Sequence, residues 1–337
     1  MRNQDVQDYG ESLIFRIQQE NRWNGGFFVP KILLRIRLNN SIMGRMRRPV
    51  FLILVILSGL NIFAWSIVHD ASNSDSLEVI FFDVGQGDAI FIQTPHQGLG
   101  GGHQILIDGG PDSAVLEKLG REMPFWDRTI DLIVLTHPEH DHIAGLLEVL
   151  KRYEVKNILW TGVVRDTAEF REWEKLTAEE EAEIIIAKSL LRIDLNNSSF
   201  SNSYIDVLYP FEDLSGQEIK KTNNTSLVAK LVCGEKSFLL TGDIEKSVEK
   251  ELLESGADID SDVLKVAHHG SKTSSAEEFV EKVSPEIAVI SAGKNNSYGH
   301  PHAETLATLS KYGINVLRTD ELGDVKILCG SRSLKLK

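Results

Sequence analysis

From residue 77 onward the chain alternates short runs of β-branched and apolar residues with amphipathic stretches. Eleven runs have the length and composition of strands: LEVIFFDVG, DAIFIQT, QILIDGG, IDLIVLTH, KNILWTG, YIDVLYP, TSLVAKLVCG, KSFLLTGD, DVLKVAHH, EIAVISAG and VKILCG, most of them closed by Gly, Asp or His. Apolar positions at helical spacing predict helices over about 113–122, 142–152, 166–182, 245–255, 275–283 and 302–312. The early strands follow one another as hairpins do, and the later ones alternate with helices. That mixture predicts an α+β protein with two sheets packed on each other and helices outside, an αββα sandwich rather than a doubly wound parallel sheet. In the 166–182 stretch Phe170, Trp173 and Leu176 share a helical face, which predicts core packing, a substrate-facing lid being the alternative.

Ahead of this pattern stands PVFLILVILSGLNIFAWSIV, Pro49 to Val68, 20 residues without a charge. As a helix it is long enough to cross a bilayer core of roughly 30 Å. Arg45, Arg47 and Arg48 precede it, so the positive-inside rule puts the N-terminus in the cytoplasm and everything after about residue 70 outside. The organisation expected is a cytoplasmic tail over 1–48, a transmembrane signal-anchor over 49–68, a linker over 69–76 and one catalytic domain over 77–337. A cleaved signal peptide, leaving a secreted domain, is the alternative.

Charge narrows the choice of partners. The 337-residue chain carries a formal charge of −13, but residues 1–48 hold nine Lys/Arg against four Asp/Glu, and the remainder holds 27 against 45. Such a body repels phosphate backbones at long range, which argues against tight nonspecific binding of nucleic acid. Cys233 and Cys329, the two cysteines, fit no metal-ligand spacing. An exported domain permits a disulfide between them, and two buried free thiols fit the pattern equally well.

The candidate chemistry lies in the histidines. Seven of the ten fall in three clusters, His137, His140 and His142, then His268 and His269, then His300 and His302, each behind an apolar strand-like run. Strand ends aim side chains at one point from a fixed backbone, as a metal site requires. His137, Glu139, Asp141 and His142 offer imidazole and carboxylate donors suited to zinc or manganese, in a loop able to wrap around a metal pair. Asp243 ends the strand-like FLLTGD, where a carboxylate can bridge two cations. His140 is expected to face solvent and His302 to be a surface or capping residue. Asp83 and Asp88 bracket the turn in DVGQGD, with hydrogen bonding to metal ligands as their alternative role, and Asp108 in LIDGG has the same two readings.

THPEHDHIAGL resembles the H-x-[HDE]-x-D-H signature of the metallo-β-lactamase fold. FFDVGQGDAIFI, ILIDGG, NNTSLVAKL, FLLTGDIE, DVLKVAHHGSKTSS, AVISAGKNNSYGHP and LRTDELGDV resemble, in order, the extracellular hydrolase domain of ComEC-type competence proteins and its free-standing relatives. The resemblance runs from about 78 to 326. It implies a four-layer sandwich holding two divalent ions, with His137 and Glu139 on one, Asp141 and His142 on the other, and Asp243 bridging. The last ligand comes from His268 or His269, and His300 is a ligand or an acid to the leaving group. Asn223 or Asn224 falls nearest the position where the wider fold has a further histidine. The implied reaction is hydrolysis by water that the two ions activate, with Asp141 also orienting the nucleophile and His268, His269 or His300 protonating the leaving group. A phosphodiester, first of all a nucleotide polymer, is the implied substrate, with a link to DNA uptake. The rival expectation is a membrane-anchored binding or scaffold protein that has lost turnover.

Overall fold

The computed structural model describes residues 48–72, 76–95, 102–195 and 202–337. The chain divides into two units, residues 1–67 and 68–337. Helix α1 (Arg48–Ser72) covers the uncharged run, continues past residue 67, and exposes Val50 to Leu57, Leu60, Ile62 and Phe63. Among the described residues no helix is long and apolar enough to cross a membrane. The side chains of residues 64–72 lie outside the described residues, so the anchor expected over 49–68 lies partly outside them, as do the tail over 1–47 and linker residues 73–75.

The second unit is built on two sheets. The first contains β1 (Leu77–Phe81), β2 (Ile90–Gln93), β3 (Gln104–Ile107), β5 (Leu132–Leu135), β7 (Asn157–Trp160), β8 (Glu183–Ile186), β16 (Val325–Gly330) and β17 (Ser333–Leu336), in the order 17-16-1-2-3-5-7-8. A two-stranded ladder, β4 (Thr129–Ile130) with β6 (Glu154–Val155), stands apart. The second sheet contains β9 (Arg192–Asp194), β10 (Ser203–Tyr209), β11 (Val228–Cys233), β12 (Lys236–Leu240), β13 (Val263–Lys265), β14 (Ile287–Ile290) and β15 (Asn315–Arg318), in the order 15-14-13-12-11-10-9. In both sheets the hairpin-linked strands pair antiparallel, and those separated by helices, β3-β5-β7-β8 and β12-β13-β14-β15, pair parallel.

Successive residues of a strand face opposite ways, so a strand buried on both faces needs a continuous apolar run. Leu77, Val79 and Phe81 of β1 join Phe238 and Leu240 of β12, Val263 and Val289 in one core between the sheets. Their neighbours point outward. Ile80 joins a core under α2 (Ala114–Glu122), α3 (His140–Leu150) and α4 (Ala168–Glu179), and Leu239, Leu264 and Ala288 join another under α5 (Lys246–Ser255), α6 (Glu277–Val283) and α7 (Ala303–Lys311). Three cores between four layers make the αββα sandwich. Phe170 and Trp173 are buried under α4 with Leu176 packed beside them, which is the core role and not a lid. A disulfide joins Cys233 of the second sheet to Cys329 of the first, with Cα atoms 6.4 Å apart, so the cysteines are paired and not free.

Candidate metal centre

The chemistry-bearing residues follow the C-terminal ends of parallel strands. Asp108 follows β3, Thr136 and His137 follow β5, Asp243 follows β12, His268 and His269 follow β13, and Ser291 follows β14. Contrary to the expectation of a loop, His140, Asp141 and His142 form the first turn of α3. First-turn N–H groups need no partner within the helix, and the positive helix end favours the Asp141 carboxylate. Glycine sets how close that helix comes. A Cβ on Gly145 would collide with the Gly109 carbonyl, and Gly109 N–H donates to His142 O at 2.8 Å. Asp108, His268 and His269 adopt positive φ of 57°, 51° and 54°. Left-handed backbone costs non-glycine residues of order 1–3 kcal/mol each and clusters at functional sites.

One ligand atom from each of Asp141, His142, Asp243 and His269 fits within 4.8 Å of the others. His142 Nε2 and His269 Nε2 lie 3.4 and 3.3 Å from Asp243 Oδ2, and His269 Nε2 lies 3.3 Å from Asp141 Oδ2. The His137 ring stands 4.2 Å from the His142 ring, centroid to centroid. Three buried imidazole atoms, Nε2 of His137, His142 and His269, have no hydrogen-bond partner, and neither has Asp243 Oδ1. Buried polar atoms are almost always bonded, so four orphans in one place are the mark of a ligand site.

The opposite ring nitrogens are all engaged. His142 Nδ1 donates to Asp108 Oδ2 at 2.7 Å, and Thr136 Oγ1 donates to the same oxygen at 2.7 Å. His137 Nδ1 in turn lies 3.1 Å from Thr136 Oγ1. His269 Nδ1 donates to Ser291 O at 2.9 Å and lies 3.5 Å from Asp88 Oδ1. Asp88 is ion-paired with Lys265, which is fully buried. Fixing Nδ1 fixes the tautomer and turns Nε2 toward the shared space, the usual arrangement around a metal. Asp88, Asp108 and His142 also group closely, but the carboxylates there are committed to Lys265, Thr136 and His142 and orient the ligands.

Burial opposes charge on His142 and His269, yet Asp243 with Asp108, and Asp243 with Asp88, hold their pKa values well above the ordinary range. Burial works against Asp243 and Asp141 as well, and the two imidazoliums overcome it and keep both carboxylates ionised. Burial, then the His142 charge, push His137 down to about 3. Burial raises Asp108, while Lys265 and His269 lower Asp88 against its burial. The carboxylates of Asp141 and Asp243 thus favour positive charge among the imidazoles. A divalent cation supplies that charge to the same donors and competes with protons for them, so the donor set fits a metal.

The remaining candidates divide. His269 belongs to the cluster, whereas His268 Nε2 accepts from Asn223 Nδ2 at 3.2 Å. His300 stacks on His269 at 6.2 Å, and burial with the neighbouring histidines lowers its pKa to about 4. Burial lowers His268 too, so both rings are neutral near pH 7. Glu139 stands outside the four-ligand group, its Oε1 held by Arg165 and Thr222. Asp83 Oδ1 accepts from Gly85 N at 3.3 Å, the turn role, and only Asp88 of the pair supports a ligand. Asn224 bonds Glu245 through both side-chain atoms, at 3.0 and 3.1 Å, and touches no metal candidate. His140 is exposed, 3.5 Å from Glu169, and His302 is the N-cap residue of α7. Thr136, Lys265, Ser291 and Arg165 are the participants that the motifs do not announce.

The profile of the Metallo-beta-lactamase superfamily matches residues 82–294, and the chain belongs to that superfamily. Within it the chain is similar to competence proteins. It is 35% identical over 266 residues to ComE operon protein 3 of Bacillus subtilis (strain 168), covering 74% of this chain and 32% of that one. It is 28% identical over 295 residues to Competence protein ComA of Neisseria gonorrhoeae, with 84% and 38% covered. Recombination protein 2 of Haemophilus influenzae is 28% identical over 258 residues, with 74% and 28% covered. The chain spans about a third of the length of these relatives. Among solved structures, Igni18, a metallo hydrolase from Ignicoccus hospitalis, has a TM-score of 0.48 at 16% identity, over 74% of this chain and 98% of its own.

Proposed function

We propose that the domain is a two-metal phosphodiesterase, held at the membrane by residues 49–68 and working outside the cytoplasm on a nucleotide polymer or another phosphodiester. The convergence of four unpartnered buried atoms, on His137, His142, His269 and Asp243, carries the reading. When bound, zinc or manganese supplies Lewis-acid polarisation of the ester and a water of lowered pKa. His137, His142, His269, Asp141 and Asp243 are the residues that would hold the ions. Asp108, Thr136, Asp88 and Lys265 keep those side chains aimed, so little reorganisation is needed as charge develops on the substrate. His268 and His300, both neutral, offer ring nitrogens beside the leaving group.

Three arginines ahead of the apolar run and a buried disulfide support an oxidising compartment outside the cytoplasm. The name Competence protein ComA supports competence as the setting. The second reading is a membrane-anchored binding protein without turnover, and it draws on the engagement of Glu139 by Arg165 and Thr222.

Elemental mass spectrometry of the full chain and its Asp243→Ala variant tests the proposal, followed by hydrolysis of bis(p-nitrophenyl) phosphate and of an oligonucleotide. About two zinc or manganese ions per chain, lost in the variant together with turnover, are expected. Retained metal without turnover on either ester would favour the binding protein, and one ion or none after metal addition would sink the two-metal mechanism.

A further inference from the structure

Tyr298 is an exposed aromatic side chain, with 64% of its surface accessible, in the loop between β14 and α7. An isolated exposed tyrosine on a loose loop means little, but this loop is braced. Asn296 Oδ1 accepts from the N–H groups of Tyr298 and His300 at 3.1 and 3.0 Å, and Asn296 Nδ2 donates to the carbonyls of Gly293 and His300 at 3.0 and 2.6 Å. Gly293 N–H donates to Gln86 Oε1 at 3.1 Å, which ties the loop to the DVGQGD turn. The backbone that carries Tyr298 is therefore braced, which lowers the entropic cost of presenting its ring.

Its inner face is occupied. Tyr298 stacks on His300 with centroids 5.6 Å apart and planes 20° apart, and His300 stacks on His269 of the metal centre at 6.2 Å and 30°. Three rings thus form a stair from the ligand cluster to the surface, and the last step is open. Lys294 stands exposed four residues before Tyr298, and Lys272, also exposed, donates its backbone N–H to His302 Nδ1 at 3.2 Å, the His302 ring lying 4.9 Å from His300. The ion pairs among the described residues include neither lysine, in a chain whose charge is −13. Aromatic faces with exposed cations on the neighbouring loop positions are what a single strand of nucleic acid uses, bases on rings and phosphates on lysines.

We infer that Tyr298 is a nucleobase platform, stacking a base near the scissile phosphodiester while Lys272 and Lys294 meet flanking phosphates. The ligand class is single-stranded nucleic acid. The inference rests on the phosphodiesterase reading for the identity of the reacting group and adds a preference for esters that carry bases.

The test uses the full chain in detergent and two fluorescein-labelled probes of about eight nucleotides with phosphorothioate linkages that resist hydrolysis, one of thymidine and one abasic. Binding is followed by anisotropy for the wild type, Tyr298→Ala and Tyr298→Phe. Tyr298→Ala is expected to weaken the thymidine probe about five- to hundredfold and the abasic probe by less than about twofold, with Tyr298→Phe close to wild type. Equal weakening of both probes, or of neither, overturns the platform. Turnover of bis(p-nitrophenyl) phosphate separates the two readings. If the wild type hydrolyses it but binds both probes alike, the platform fails and the phosphodiesterase stands. If it hydrolyses no phosphodiester yet prefers thymidine through Tyr298, the reaction fails and the platform stands. Tyr298-dependent turnover of glycerophosphocholine without base preference would overturn the platform in favour of a cationic headgroup.

Discussion

Reducing the disulfide should loosen the sandwich by an amount that the topology sets. Cys233 and Cys329 are 96 residues apart in sequence and join β11 of one sheet to β16 of the other, with both side chains fully buried. A cross-link that closes a loop of this length removes about 4.7 kcal/mol of chain entropy from the unfolded state. For a domain of this size each kcal/mol is worth roughly 2 °C, so reduction should lower the midpoint by about 9 °C. The assay is differential scanning calorimetry of the oxidised protein and of protein reduced in denaturant and refolded under reductant. The Cys233→Ala/Cys329→Ala double variant serves as a control that cannot re-form the bond and adds its own packing loss. Midpoints within about 2 °C of each other would refute the entropic argument. Two alkylatable thiols in protein purified without reductant would refute the bond itself, and with it one support for an oxidising compartment.

Asp108→Ala leaves His142 Nδ1 and Thr136 Oγ1 without their shared acceptor and should weaken metal affinity about 10- to 100-fold, measured by competition with a chelating dye, while the circular dichroism spectrum is retained. Lys265→Met leaves the buried Asp88 carboxylate without its nearest cation and with only His269 beside it, and should cost about 3–5 kcal/mol in urea unfolding, most of it recovered in the Lys265→Met/Asp88→Leu double variant. Burial raises Glu249 from an ordinary 4.5 to about 7 even though the backbone N–H groups of Ala276 and Ser275 favour its ionised form. The native state therefore holds a proton that the unfolded state releases. Its stabilising contribution is complete below about pH 4.5 and is lost as the pH rises through about 7, on the order of 3 kcal/mol in all. Urea midpoints between pH 5 and 8 should fall more steeply for the wild type than for Glu249→Gln, and parallel slopes would contradict this.

What the chain disclosed about itself follows burial. The strands that read clearly are those buried on both faces, such as LEVIFFDVG and KSFLLTGD. Among those that did not, β8, β9, β15 and β17 are the four edges of the two sheets, three or four residues long and partly exposed, too short for a strand pattern to stand out even where, as in EIII of β8, the residues are apolar. Asp83 and Asp88 share one turn motif and have opposite fates, because only Asp88 meets Lys265 and His269, which arrive from the other sheet. Lys265 did carry a local sign, a lysine inside the apolar DVLKVA, but its partner is remote in sequence. The start of α3 was set too late because His140 and Asp141 are polar, although Ile143, Leu146, Leu147 and Leu150 supply the helical face behind them. Thr136 is hidden for a simpler reason, since a threonine at a strand end is ordinary until two histidines and an aspartate gather around it.

The centre is also a seam. His137, Asp141 and His142 come from the half of the domain built on the first sheet, and Asp243 and His269 from the half built on the second. A ligand gripping both halves binds the folded domain and not the unfolded chain, so occupancy is thermodynamically part of folding. At a hundredfold excess over its dissociation constant such a ligand adds about 2.7 kcal/mol. A melting curve recorded during chelator titration therefore reports on the centre without any substrate in hand.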